Sequence, residues 1–333
     1  GEYGTQSQYL LTDILKKEFG FEGIVISDWE SVVDRVKGAK AGMHIQMSGH
    51  PGRVNDKLLV EAVKNNTLDE AVLDGLVREI LTIIFRADAL AREDVDQKTD
   101  EHHSFARKVA SQGITLLKND GDVLPLQPDK YKKVALIGEF AKAPRYQGNG
   151  SSEVKPVKVD KAFDIIEEEY GKDVEISYAQ GYKLDDDNDF SLVEEAKSAA
   201  ADADIAVVFA GLPLHYESEG IDRTHIHLPP SHNKLISEVA AAQENTVVVL
   251  TNGSAVDMPW AADVPGIVES WLGGQAGAGA VADVIFGKVN PSGKLSETFP
   301  VRLEDTPAYM NFPGEEGNVL YGERMFVGYR YYD

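Results

Sequence analysis

Two stretches of this sequence place acidic side chains directly after strongly apolar segments. The first has the run Ile24-Val25-Ile26, preceded by a glycine and followed at once by Ser-Asp-Trp. The second is the loop Gly211–Arg223, which follows an apolar run and contains two glutamates. Short apolar runs bounded by turn residues predict strands buried on both faces, and α/β folds keep their chemistry at the carboxyl ends of such strands. Asp28, Glu217 and Glu219 are therefore candidate catalytic residues.

Each candidate has an ordinary structural alternative. Asp28 could cap the next helix. Trp29 favours the chemical role, because an indole beside a carboxylate at a strand mouth suits a sugar, which has an apolar face and hydroxyl groups at its edge. The second loop could be a solvated acidic surface, in which Arg223 fixes the backbone through a bidentate contact to Asp222. His215 is expected to be an ordinary loop histidine.

A pair of carboxyl groups from separate segments meets the requirement for cleaving a glycosidic bond. One carboxylate stays ionised to attack the anomeric carbon, and the other holds a proton for the leaving oxygen. The Gly-x-Ser-x-Gly and His-Glu-x-x-His signatures of other common hydrolases do not occur in the sequence. The residues therefore favour acid–base chemistry on a neutral sugar.

Composition narrows the possible partners. The chain has 333 residues, enough for two domains, and a net charge of −22. Such an acidic surface disfavours nucleic acid or an anionic membrane as partner but permits a carbohydrate. With no cysteine, disulfides, thiolate nucleophiles and zinc–thiolate sites are excluded. Composition does not decide the cellular compartment, and no apolar run approaches the roughly 20 residues of a membrane span.

Residues 1–90 have the pattern of the end of an α/β barrel. Helical periodicity is present in four segments: Tyr9–Phe19, Val32–Ala41, Asp56–Lys64 and Leu68–Phe85. Thr67, with Glu70 three residues on, predicts a capping box for the last of these. Only about two strands are visible here, where a barrel needs eight.

A charged linker, 91–113, separates this part from a second domain. It contains His102 and His103, which we expect to be solvated rather than bound to a metal, and it ends in a predicted helix, Ser104–Gln112. In the domain that follows, strands and helices alternate, which predicts a mostly parallel sheet with helices on both faces. Five strands are predicted from apolar runs, at 134–137, 174–178, 205–209, 247–250 and 267–271.

The glycine-rich loop Gly148–Ser152 raises the possibility of a nucleotide site. A dinucleotide fingerprint requires Gly-x-Gly-x-x-Gly directly between a strand and a helix. Here the third glycine is missing and Pro156 follows. A nucleotide-binding α/β domain is therefore a rival hypothesis that the loop does not favour.

Taken together, several motifs resemble glycoside hydrolase family 3, of the β-glucosidase type. The likeness covers essentially the whole chain. The matching segments are Gly20–Trp29, Glu217–Arg223, Trp271–Gln275, Phe286–Leu295, Thr298–Pro300 and Tyr321–Asp333.

The resemblance implies a retaining enzyme built from a barrel domain and a six-stranded α/β sandwich, with no metal or cofactor required. Asp28 matches the nucleophile and Trp29 a residue that shapes the sugar subsite. Glu219 matches the acid/base by its spacing to Arg223, with Glu217 as the second choice. The Ser-Asp-Trp sequence favours terminal β-D-glucosyl residues over β-xylosides or N-acetylhexosaminides.

The resemblance also predicts a division of the chain and a missing part. Residues 1–90 would be the C-terminal part of the barrel, 114–300 the sandwich domain, and 301–333 a segment leading out of it. The barrel portion that precedes the nucleophile strand in the family is absent from this sequence. We therefore expect the N-terminal part of the same enzyme as a partner. The alternative is a non-catalytic carbohydrate-binding or scaffold module.

Overall fold

The computed structural model describes residues 2–49, 54–92 and 95–332. Gly1 and Asp333, the ends of our predicted domains, lie outside the described residues. The chain divides into two compact units, Gly1–Gln97 and Lys98–Asp333. No helix in the described ranges is both long and apolar enough to cross a membrane.

The first unit is mainly helical. Its helices lie close to the predicted positions and are a π-helix, Tyr9–Glu18, and α1, Arg35–Ala41, α2, Val54–Lys64, and α3, Glu70–Ala89. They pack around a small apolar core that includes Ala39, Leu68 and Leu76. The predicted capping box at Thr67 is wrong. Its hydroxyl donates to the carbonyl of Ala62, and the cap of α3 is the next acidic residue of the chain, Asp69.

The predicted strand at Ile24-Val25-Ile26 is reduced to a single parallel bridge between Ile26 and Ile45. The expected burial on both faces is wrong in the described residues, because the side chain of Ile26 is 52% exposed. A parallel strand is buried on both faces only where it lies inside a sheet whose two faces are covered by other elements. Here the segment around Ile45 pairs with one edge, and Val25 accepts the backbone N–H of His44 at 3.0 Å.

The second unit is built on a six-stranded sheet, as predicted. In chain order its strands are β1, Thr115–Asn119, β2, Lys133–Ile137, β3, Glu175–Ala179, β4, Ile205–Gly211, β5, Thr246–Thr251, and β6, Gly266–Glu269. The spatial order is β1-β6-β5-β4-β2-β3. All neighbouring pairs are parallel except β1 with β6. Strand β4 is buried along its whole length, as its unbroken apolar sequence requires.

Five helices accompany the sheet: α4, Thr99–Gly113, α5, Ala162–Tyr170, α6, Val193–Ala201, α7, Pro230–Ala242, and α8, Gly277–Ile285. Helix α4, whose second half we predicted as the end of the linker, packs against α8. Arg107 of α4 secures this packing, since its Nε and Nη2 each donate to the carboxylate of Asp283 at 2.7 Å and its Nη1 donates to Glu169 at 2.9 Å. The linker helix is thus an integral part of the second unit.

The strand order creates a switch point between β2 and β4. From β2 the chain crosses to β3 on one side and then returns to β4 on the other side. The loops after β2 and β4 therefore diverge at the carboxyl edge of the sheet, where doubly wound folds bind ligands. The loop after β2 includes Gly148–Ser152, and the loop after β4 includes Glu217 and Glu219.

Candidate active site

Asp28 lies in the first unit at the end of the bridged segment. Ser27, just before it, is buried, and its Oγ accepts the backbone N–H of Met47 at 2.8 Å. The carboxylate of Asp28 is exposed, and its Oδ1 accepts the backbone N–H of Trp29 at 2.7 Å. Asp28 does not cap the following helix, because that cap is Asp34. Of the two roles open to Asp28 in the sequence, the capping of α1 is therefore excluded.

A buried histidine, His44, is hydrogen-bonded to the segment that precedes Asp28. The Nδ1 of His44 accepts the backbone N–H of Val25 at 2.9 Å, and its Nε2 lies 2.7 Å from the carboxylate of Glu79 in α3. Burial lowers the pKa of His44 more than Glu79 raises it. Arg35 donates to the carbonyl of His44 at 2.9 Å. We did not predict these contacts, although a histidine between Met43 and Ile45 is unusual unless both its nitrogens are satisfied.

Glu219 lies in the second unit at the tip of the loop after β4. Its carboxylate is exposed, and Oε2 accepts the backbone N–H of Ser151 at 2.5 Å. The tip turns through Gly220, whose φ of 78° is in the left-handed region that glycine adopts readily. Hydrogen bonding to Ser151 lowers the pKa of Glu219. To hold a proton for a leaving oxygen, the carboxyl group must first leave this contact.

Glu217, two residues earlier, is held in a different way. Its Oε2 accepts Nη1 of Arg145 at 2.6 Å and the backbone N–H of Gly253 at 2.8 Å, and its Oε1 accepts the hydroxyl of Ser254. Burial acts to raise the pKa of Glu217, but these donors outweigh burial and lower the pKa. Glu217 is thus a fixed, ionised carboxylate.

The predicted contact between Arg223 and Asp222 is not the one that forms. Arg223 instead donates through Nη2 to Ser254 Oγ at 2.9 Å and to the carbonyl of Ala255 at 2.8 Å. Arg223 is half-buried, whereas Asp222 is exposed. His215 lies in the loop, as predicted; it is exposed, and its Nε2 lies 2.9 Å from the carboxylate of Asp187.

Several cavities open at this edge of the second unit, including two that Arg145 and Asn149 both line. One, of about 380 Å³, surrounds Glu219 and is lined in part by Arg223, Ser254 and Leu272. The other, of about 300 Å³, lies over the switch point, and the two share Arg145, Gly148 and Asn149. Both have volumes typical of small-molecule sites.

The two linker histidines differ from each other. His102 is exposed, as predicted, but His103 is half-buried, which corrects our expectation that both are solvated. His103 Nε2 lies 3.0 Å from the carboxylate of Asp160, and its Nδ1 lies 2.8 Å from Gln275. In the described part of the chain, no group of three or more His, Asp or Glu side chains is arranged to hold a metal ion.

Comparison with known proteins identifies the family. Residues 114–329 match the model described as "Glycosyl hydrolase family 3 C-terminal domain", and residues 1–83 match "Glycosyl hydrolase family 3 N terminal domain". The chain belongs to glycosyl hydrolase family 3. It combines the C-terminal part of the family's barrel domain with its α/β sandwich domain, as predicted.

Individual relatives share this organisation along the whole chain. The chain is 51% identical to "Thermostable beta-glucosidase B" of Acetivibrio thermocellus, covering 100% of itself and 44% of that protein. It is 42% identical to "Exo-alpha-(1->6)-L-arabinopyranosidase" of Bifidobacterium breve, again covering 44% of the relative. Among solved structures, the family 3 β-glucosidase of Bifidobacterium adolescentis superimposes with a TM-score of 0.91 at 42% identity, covering 100% of this chain and 48% of that one. The chain thus spans about half the length of the relatives it matches.

Proposed function

We propose that this chain is a portion of a retaining β-glucosidase that releases terminal, non-reducing β-D-glucosyl residues. The observation that carries the proposal is the pair of exposed carboxylates, Asp28 beside Trp29 and Glu219 in a cavity of small-ligand size, in a family 3 chain. The remaining part of the barrel would be supplied by the N-terminal part of the same enzyme. The similarity to a β-glucosidase at 51% identity supports glucose as the sugar.

The proposed reaction has two steps. Asp28 attacks the anomeric carbon while the bond to the glycosidic oxygen breaks and Glu219 gives its proton to that oxygen. Water then attacks the same carbon, Glu219 takes the water's proton, and Asp28 leaves as a carboxylate. Retention requires the two carboxyl groups to lie about 5–5.5 Å apart during turnover. Trp29, which is 62% exposed, would cover the apolar face of the sugar.

A covalent label tests this function. The complete enzyme, meaning the natural polypeptide or assembly that contains these 333 residues, is incubated with a 2-deoxy-2-fluoro-β-glucoside that has a good leaving group. We expect the intact mass to rise by one fluoroglucosyl group, carried by the peptide that contains Asp28. The mass of the unlabelled protein also shows whether a longer polypeptide or a second chain exists. A label on another residue would refute the proposal. Absence of any label, combined with absence of turnover, would also refute it.

The specificity is tested on the same preparation with aryl glycosides. A β-glucoside should be hydrolysed faster than a β-xyloside or an N-acetyl-β-glucosaminide. The 42% identity to arabinopyranosidases makes an α-L-arabinopyranoside the most informative competitor. A preference for that substrate would keep the proposed mechanism but change the proposed sugar from glucose to arabinose. Sugar binding without hydrolysis would favour the alternative of a non-catalytic carbohydrate-binding module.

A glycine beside Glu219 provides a further prediction. Gly150 has a φ of 91°, and a Cβ added there would lie 2.6 Å from the Cβ of Glu219. Gly150→Ala should therefore displace the carboxyl group and lower kcat of the complete enzyme by about 10–100-fold, because small misplacements of a reacting group are costly. The matched control is Gly274→Ala, at a glycine that also has a left-handed φ, of 71°, and where an added Cβ would meet nothing within 4 Å. Equal activities of the two variants would contradict the assigned position of Glu219.

A further inference from the structure

We propose that Glu217 and Arg145 form a fixed ion pair that positions the acid/base loop, so that Glu217 serves the reaction through the placement of Glu219. The inference rests on the proposed function of Glu219. It assigns a separate task to each of the two glutamates that sequence reasoning left as alternatives for one role.

Arg145 ties the beginning of the loop to the loop after β2. Its Nη1 donates to the carbonyl of Leu212 at 2.5 Å and to the carboxylate of Glu217 at 2.6 Å, and its Nη2 donates to the carbonyl of Glu217 at 3.3 Å. The side chains of Arg145 and Glu217 are only 4% and 13% exposed. One guanidinium therefore fixes two points of the chain, the second of them two residues before Glu219.

Glu217 is also hydrogen-bonded to the loop after β5. Its carboxylate accepts the backbone N–H of Gly253 and the hydroxyl of Ser254. The same hydroxyl of Ser254 accepts Nη2 of Arg223 at 2.9 Å. Both ends of the segment 217–223 are thus anchored at Ser254, and the tip that carries Glu219 projects between the anchors.

The tip itself is held, among the residues that the structure describes, by contacts that contain no ion pair. The backbone N–H of Glu219 lies 3.5 Å from the carbonyl of Asn149, and its carboxylate accepts the backbone N–H of Ser151 at 2.5 Å. A proton donor that has to change partners during turnover needs a mobile carboxyl group on a rigid base. The buried pair supplies the base, because breaking it would leave an unpaired charge in a region of low exposure.

Leaving-group dependence separates a positioning residue from a structural one. In the complete enzyme, Glu217→Ala should lower kcat/KM for phenyl β-glucoside by about 10–100-fold. For 2,4-dinitrophenyl β-glucoside, which departs without a proton, the loss should be less than about threefold. Glu217→Gln keeps the shape of the side chain and should fall between the wild type and Glu217→Ala. Glu297→Ala is the control, since it removes an exposed carboxylate that accepts the N–H of Ala255. Any change in kcat/KM in this control should be the same for both substrates.

Azide distinguishes the two glutamates. Glu219→Ala should recover activity on the dinitrophenyl substrate when azide is added, because azide enters the space left by the carboxylate and attacks the glucosyl-enzyme. Glu217→Ala should not recover, since Glu219 is still present. Azide rescue of Glu217→Ala would mean that Glu217 is the acid/base. If Glu217→Ala lost kcat/KM equally on the phenyl and dinitrophenyl substrates, Glu217 would have a structural role only. If Glu219→Ala itself shows neither leaving-group dependence nor rescue, the proposed function of Glu219 fails independently of Glu217.

Discussion

Replacing Asp28 with alanine in the complete enzyme should slow the hydrolysis of aryl β-glucosides by a factor on the order of 10⁵, as expected for the loss of a nucleophile. Without this carboxylate neither the covalent intermediate nor its hydrolysis can occur. The loss should be the same for phenyl and 2,4-dinitrophenyl glucosides, because no leaving group removes the need for a nucleophile. This independence distinguishes Asp28 from Glu219, whose loss a good leaving group compensates.

Asp34 provides the control for this substitution. It lies six positions after Asp28 in the chain and caps α1 by accepting the backbone N–H of Lys37 at 3.0 Å. Asp34→Ala should cost about 1 kcal/mol of stability through loss of the cap and leave kcat unchanged. If Asp28→Ala behaved like Asp34→Ala, with a small loss of stability and normal turnover, Asp28 would not be the nucleophile.

The central strands could be predicted from the sequence because each is a continuous apolar run, which by itself indicates a buried strand. Runs such as 205–209 and 247–250 are apolar at every position, and the structure makes them the interior strands β4 and β5. The edge strand β1 was missed among the apolar runs, because Thr115–Asn119 ends in a lysine and an asparagine. The strand predicted at 24–26, by contrast, forms only a single bridge among the described residues. Its apolar sequence is typical of a buried strand, but parallel pairing depends on neighbours that are distant in the chain.

The candidate catalytic residues could be proposed from the sequence, because each lies in a short motif after an apolar run, and their roles stay predictions. Their supporting contacts could not be predicted. Arg145 and Ser151 come from the loop after β2, and Ser254 comes from the loop after β5. Only the strand order brings these loops beside Glu217 and Glu219. One signal was present and unused: a glutamate, Glu269, stands inside a segment that we predicted as a buried strand.

Glu269 should make the stability of the second unit depend on pH. It is fully buried at the end of β6. Its Oε1 accepts the backbone N–H of Trp271 at 2.8 Å, and its Oε2 accepts Nδ2 of Asn252 at 3.0 Å. Burial, with a smaller contribution from the neighbouring charge of Glu217, raises the pKa of Glu269 to about 8 despite these two donors. The folded chain therefore keeps this proton at neutral pH.

The sign of the effect follows from which state binds the proton more tightly. Between the ordinary pKa of 4.5 and about 8, the unfolded chain has lost the proton and the folded chain retains it. The stabilisation is therefore fully present below pH 4.5 and is lost as the pH rises through this window. The difference between the two pKa values corresponds to about 5 kcal/mol in the free energy of unfolding. Glu269→Gln cannot ionise and should remove this part of the pH dependence.

Urea unfolding followed by tryptophan fluorescence can measure this difference. In the 333-residue chain carrying Trp29→Phe, both remaining indoles, Trp260 and Trp271, lie in the second unit, so the signal reports on that unit. Between about pH 5 and pH 9 the parent chain should lose several kcal/mol more than Glu269→Gln does. The control is Glu244→Gln, at an exposed position before β5, which should follow the parent. An unchanged pH slope in Glu269→Gln would mean that the carboxyl group is already ionised in the folded chain. The backbone N–H of Trp271, a residue held in the left-handed region at a φ of 56°, would then be bonded to a buried charge.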